Sequence, residues 1–175
     1  MEFKEIMELR RSTRKFEQRP VDRAVAERIM QTVLTAPSAR NTRTTRLLAI
    51  DNPGIIKRIA SMRDYGSAFV EGAPLVIAVM GDRTGSDLWL DNAAISATIM
   101  QLAAVDEGLA SCWVHVNGRP HLKEDPSAGT AEEYLRTFLP IPAEWSVLCM
   151  VAIGYAAAPP KHLPDHDDSA SMRWL

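Results

Sequence analysis

The sequence predicts one domain of the α+β class, and three observations carry that expectation. Helix and strand signals alternate along the 175 residues, but without a clean βαβ rhythm, which disfavours a doubly wound sheet. An apolar content of 46% with ordinary Gly and Pro numbers is ample for one packed core. Residues 87–109 form the longest helical segment, and from Asn92 to Val105 it carries no charge. Ala93, Ala94, Ala97, Ala103 and Ala104 keep that segment slim. A helix apolar on most sides is buried on most sides. One chain of this size can hardly surround it, so part of its burial is expected from a second subunit.

The elements follow in order. Residues 1–11 read as a short helix with Phe3, Ile6, Met7 and Leu9 mostly on one side. Residues 22–36 are a stronger helix: Val25, Ile29 and Val33 form one i, i+4 row and Ala26, Met30 and Leu34 the next. Asp22 suits the N-cap, and Pro37 stops the helix. Residues 47–50 form a strand and residues 53–61 a helix. The run PLVIAVM at residues 74–80 is a buried strand. Gly108 ends the long helix. Residues 112–116 and 146–153 are further strands, with a helix over residues 131–139 between them. Residues 1–158 are read as the domain, and residues 159–175, Pro-rich and acidic, as an arm that is disordered or wraps a neighbour.

Several function classes are disfavoured. A net charge of −2 with mixed signs does not suit a protein that grips nucleic acid by counterion release. No stretch reaches the ~18 apolar residues of a membrane helix, and the first residues alternate charge with apolar side chains, unlike a signal peptide. Cys112 and Cys149 lie far apart in apolar surroundings, which suits a reducing compartment. A cytoplasmic protein is therefore expected. There is no GxGxxG, P-loop, HExxH, CxxC or GxSxG. HLPDHDD, at residues 162–168, reads as a solvated acidic tail rather than a metal site, because metal sites need ligands on rigid elements. His115, between Val114 and Val116, reads as structural.

Three clusters carry chemistry. Arg10, Arg11, Ser12, Thr13 and Arg14 place three guanidiniums and two hydroxyls within five residues, a set suited to a phosphate. Pro37, Ser38, Ala39, Arg40, Asn41, Thr42 and Arg43 break a helix and offer a polar rim for the edge of a heteroaromatic ring. Gly108, Leu109, Ala110, Ser111, Cys112 and Trp113 follow the long helix, and the small residues among them allow close backbone approach to a flat ligand. Each admits a plainer reading: a solvated basic patch after a helix, a helix-exit loop, a helix C-cap leading into a strand.

In combination and in this order, the motifs resemble the nitroreductase family over nearly the whole chain. RRSTRKF at residues 10–16 is similar to its phosphate-binding motif, and PSARN at residues 37–41 to its PSxxN loop. AFVEGAPLVIAV at residues 68–79 resembles its central strand with the preceding Ala-Pro. The stretch from Trp89 to Trp113 resembles its dimer-core helix and following strand, and VAIGY at residues 151–155 the strand before its C-terminal arm.

The resemblance implies a three-layer α/β/α sandwich with a mostly antiparallel sheet. It further implies a homodimer with shared flavin sites, bound FMN, and NAD(P)H as electron donor to a small organic acceptor, such as a nitroaromatic or quinone, in a ping-pong cycle. Arg10, Arg11, Ser12 and Arg14 would hold the FMN phosphate. Pro37, Ser38 and Asn41 would reach the isoalloxazine from the other subunit, and the backbone of Leu109, Ala110 and Ser111 would run beside it. Lys161 is the nearest match to a basic residue of the family's arm that reaches the phosphate. No acid or base is required for hydride transfer, so no catalytic residue is assigned; Arg40 and Arg43 are candidates to stabilise reduced flavin. The family's usual Gln, Pro and Trp after PSxxN are here Arg43, Thr44 and Thr45, which widens the site and adds positive charge. Two alternatives stay open: a flavin-binding or sensing protein without turnover, and a specialised ferric, flavin or dehalogenating reductase.

Overall fold

The computed structural model describes residues 1–160 and 166–174. Lys161 and part of the acidic arm lie outside the described residues. The elements are α1 (Phe3–Leu9), α2 (Arg23–Val33), β1 (Thr45–Ile50), α3 (Pro53–Ala60), β2 (Leu75–Asp82), α4 (Trp89–Asp106), β3 (Ala110–His115), α5 (Ala131–Arg136) and β4 (Trp145–Gly154). The four strands form one antiparallel sheet in the order β1-β2-β4-β3. β2 and β4 sit in the middle, covered on both faces, which is why PLVIAVM has no polar alternation.

Helices cover both faces, giving three layers. On one face α2 and α4 pack Ile29, Val33, Ala97 and Met100 against Ile77, Val151 and Ile153. On the other, α3 and α5 bring Ile56, Ile59 and Leu135 onto Val76, Ala78 and Met150. Asp22 caps α2 by accepting from the Ala24 amide at 2.8 Å. α2 ends at Val33, earlier than expected. The Leu34 amide still bonds to the Met30 carbonyl, but the residue before Pro37 is pushed out of the helical region and the chain turns over residues 34–36.

The end of α4 positions the site that follows. The Leu109 amide donates to the Ala104 carbonyl and the Gly108 amide to the Val105 carbonyl, with Gly108 at φ 73°. This is a Schellman motif, and its left-handed residue is a glycine, which pays no Cβ penalty there. The helix therefore stops at Asp106 rather than continuing to 109. β3 begins at Ala110, two residues before the expected start, because Ala110 and Ser111 already pair with Gly154 and Ile153 of β4.

Two helices leave apolar side chains exposed. α1 buries none of its residues: Phe3, Met7 and Leu9 all remain exposed, so its apolar side has no core of its own chain. α4 is buried against the sheet through Ala93, Ala97, Met100 and Ala104, while Ile95 stays 39% exposed and Leu88 and Leu90 are also exposed. No helix among the described residues is long and apolar enough to cross a membrane.

Candidate active site

Two of the three clusters meet in one chain. Ser12 forms a parallel bridge with Ser111, and the Thr13 amide donates to the Ser111 carbonyl at 3.0 Å. The segment holding Arg10, Arg11 and Arg14 is thereby fixed beside the start of β3. Arg11 donates to the Arg10 carbonyl at 2.6 Å, and Arg14 lies over the Phe69 ring. Arg11, Thr13, Gly108, Leu109 and Ala110 line a cleft of about 210 Å³. The Ser111 hydroxyl is buried without a hydrogen-bond partner. Burial pushes the Cys112 thiol up, while the Arg14 charge and a bond with Ser12 pull the other way. The thiol is thus protonated at neutral pH, and Arg14 and Ser12 are its neighbours.

The PSARN loop is elsewhere. The Ala39 amide donates to Asn92 Oδ1 at 2.8 Å, and Asn92 Nδ2 donates to Thr44 Oγ1 at 2.9 Å. Asn92 is buried in the first turn of α4, so it pins the loop to that end of the helix. Ser38 Oγ accepts from the Arg43 amide at 2.9 Å, and the Arg43 guanidinium donates to the Leu34 carbonyl at 3.1 Å. Arg40, Asn41 and Arg43 all adopt positive φ, near 50°. Three left-handed non-glycine residues in so short a loop store strain, as functional loops do. Pro37, Ser38 and Arg43 border a larger cleft of about 560 Å³ that Met30, Leu34 and Leu47 also line.

The two half-sites lie near opposite ends of α4. Asn92 and Ala104 are twelve residues apart, which is ~18 Å along a helix. One chain therefore presents the cation cluster at one end and the polar loop at the other. Asn92 was not singled out in the sequence; its one signal is that it is the amide that opens an uncharged run.

The sequence matches the nitroreductase family over residues 7–62 and 57–155. The chain belongs to the nitroreductase family. It is an oxidoreductase, as the motifs implied. An FMN-dependent nitroreductase from Clostridium difficile R20291 superposes with a TM-score of 0.87 at 30% identity, covering 94% of each chain. A relative from Methanothermobacter thermautotrophicus, provisionally named NADH dehydrogenase/NAD(P)H nitroreductase, is 27% identical over 179 residues, covering 99% of this chain and 88% of its own. A nitroreductase family protein from Streptococcus pneumoniae TIGR4 shares the fold, with a TM-score of 0.81, 18% identity and coverage of 99% and 100%. The three-layer α+β expectation holds.

Proposed function

We propose that this nitroreductase binds FMN between two copies of the chain and moves electrons from NAD(P)H to a small organic acceptor. The observation that carries the reading is the Thr13–Ser111 bond, which sets the Arg10–Arg14 cluster against a buried hydroxyl with no partner. A buried unpaired hydroxyl is costly and calls for a ligand atom, and forked guanidiniums match phosphate oxygens. The residues present fit FMN. Arg10, Arg11, Ser12 and Arg14 would hold its phosphate, and Leu109, Ala110 and Ser111 would lie along its ring. Pro37, Ser38, Asn41 and Arg43 of a second copy would close the other side, and Lys161 would come from the arm. FMN, when bound, would supply the two-electron redox chemistry that links NAD(P)H to the acceptor in the proposed ping-pong order.

The chain's own contribution is placement and charge. Arg40 and Arg43 would bring positive charge to the rim of the flavin site, where it would favour an anionic ring. The ends of α4 set the distance between the two halves, so an antiparallel pairing of α4 with its mate would bring each loop to the other chain's cation cluster.

The purified protein is expected to be yellow and to release FMN, not FAD, on denaturation, because the cluster suits one terminal phosphate. A colourless protein that fails to take up added FMN would overturn the proposal. Arg14→Ala is expected to weaken FMN binding roughly tenfold or more, the loss of one charge-assisted contact of about 1.5–3 kcal/mol. Flavin fluorescence titration measures this, and unchanged affinity would return Arg14 to the solvated surface.

A further inference from the structure

A second cationic site lies at the far end of β3. Ser111, Trp113 and His115 alternate along that strand and so share one face. From Ser111 to His115 the strand advances four residues, ~13 Å. Beyond His115, the loop after β3 is joined to the loop after α3. The Asp64 amide donates to the His121 carbonyl at 3.1 Å, the Lys123 amide donates to Asp64 Oδ1 at 3.0 Å, and His121 Nδ1 lies 2.9 Å from the Met62 carbonyl. These bonds bring Arg63, from one loop, and Arg119, from the other, within electrostatic reach of His115.

Among the described residues the two arginines have no anionic partner. The Arg63 guanidinium lies over the Tyr65 ring at 4.8 Å, and its Nε is buried with no hydrogen-bond partner. Asp64, the acid next to Arg63, is engaged by the Lys123 amide. His115 adds no charge at neutral pH. Burial, then Arg119 and Arg63, hold its imidazole below the ordinary range, opposed by the Asn117 carbonyl, which accepts from the ring. Among the described residues no carboxylate acts on it. The Trp113 indole donates to its Nδ1 at 3.4 Å, so the ring is held as a neutral wall.

We propose that Arg63 and Arg119 form a subsite for an oxyanion, a carboxylate or phosphate carried by one of the two substrates. The proposal rests on the flavin reading above. The cluster Arg10–Arg14 meets β3 at Ser111, so a phosphate there leaves the His115 end free for the molecule that exchanges electrons with the ring. A guanidinium with a buried, unpaired Nε–H gains an acceptor when an oxyanion arrives, and its fork matches two oxygens. The uncompensated pair would select anionic substrates over neutral ones of the same shape.

The test uses the FMN-loaded protein and the Arg63→Gln/Arg119→Gln variant, with exposed Arg119→Gln alone as the variant that keeps the fold undisturbed. Calorimetric titration with benzoate and with inorganic phosphate is expected to show binding to the wild type that falls about tenfold or more in the variants, the loss of charge-assisted bonds. Steady-state rates then locate the source. A reduced preference for 4-nitrobenzoate over its methyl ester assigns the subsite to the acceptor, and a reduced preference for NADPH over NADH assigns it to the donor. Equal binding and unchanged preferences in both variants would overturn the proposal. Loss of flavin from the variants would also overturn it, by making these residues part of the flavin cradle. A wild type that takes up no FMN would instead refute the flavin reading itself.

Discussion

Ile95→Glu is expected to give a folded monomer that no longer retains FMN. Ile95 is 39% exposed in one chain, so a charge there costs the monomer little, within about 0.5 kcal/mol as for ordinary surface changes. Across a two-fold interface the same patch occurs on both subunits, so each substitution counts twice. Each isoleucine gives up burial of only its exposed share, about 1 kcal/mol of the roughly 1.5–3 kcal/mol for a full side chain, and each carboxylate is stranded without a partner at a further cost of several kcal/mol. A total of even ~5 kcal/mol weakens the dimer by more than a thousandfold. Because the two half-sites stand at opposite ends of α4, flavin should leave with the partner. Circular dichroism checks that the fold survives, and sedimentation with flavin absorbance checks the rest. A flavin-loaded dimer of Ile95→Glu would show that this face of α4 is not the interface.

Asn92→Leu is expected to cause the second largest loss. Its side chain is 1% exposed, accepts from the Ala39 amide and donates to Thr44 Oγ1. Leucine leaves both partners without a bond, at about 1–3 kcal/mol each where they are buried. A Tm lower by roughly 5–15 °C follows for a domain of this size. The same change frees the Ala39 to Arg43 loop, whose left-handed residues depend on being held, so FMN affinity should fall along with stability. Asn92→Asp separates the effects: it keeps the acceptor for Ala39 and loses the donor to Thr44. A Tm of Asn92→Leu within about 1 °C of wild type would contradict the anchoring role, since one lost bond alone shifts it more.

The layers were legible because their signals are local. Asp22 reads as a cap, PLVIAVM as a covered strand and Gly108 as a helix end, and each does that work in the fold. Boundaries were less legible. β3 starts at Ala110 because a neighbouring strand supplies partners there, and nothing in Ala-Ser announces that pairing. The open side of α4 was legible as well: one chain of this size can hardly cover an uncharged helix on all sides, and Ile95 stays exposed in it. The basic cluster was read from composition, but its meeting with Ser111 is a tertiary contact. Asn92 bonds the Thr44 hydroxyl and the Arg63 charge acts on His115, each about fifty residues away in the chain, so no local pattern marks them.

The central claim is that one flavin site is built from two chains, and sedimentation equilibrium of the FMN-loaded protein at low concentration, followed at flavin wavelengths, tests it most directly. The account predicts that flavin absorbance travels with a species of twice the 19.4 kDa chain mass, and that dilution which splits the dimer frees the flavin. A 19.4 kDa species that carries its FMN through dilution would contradict it.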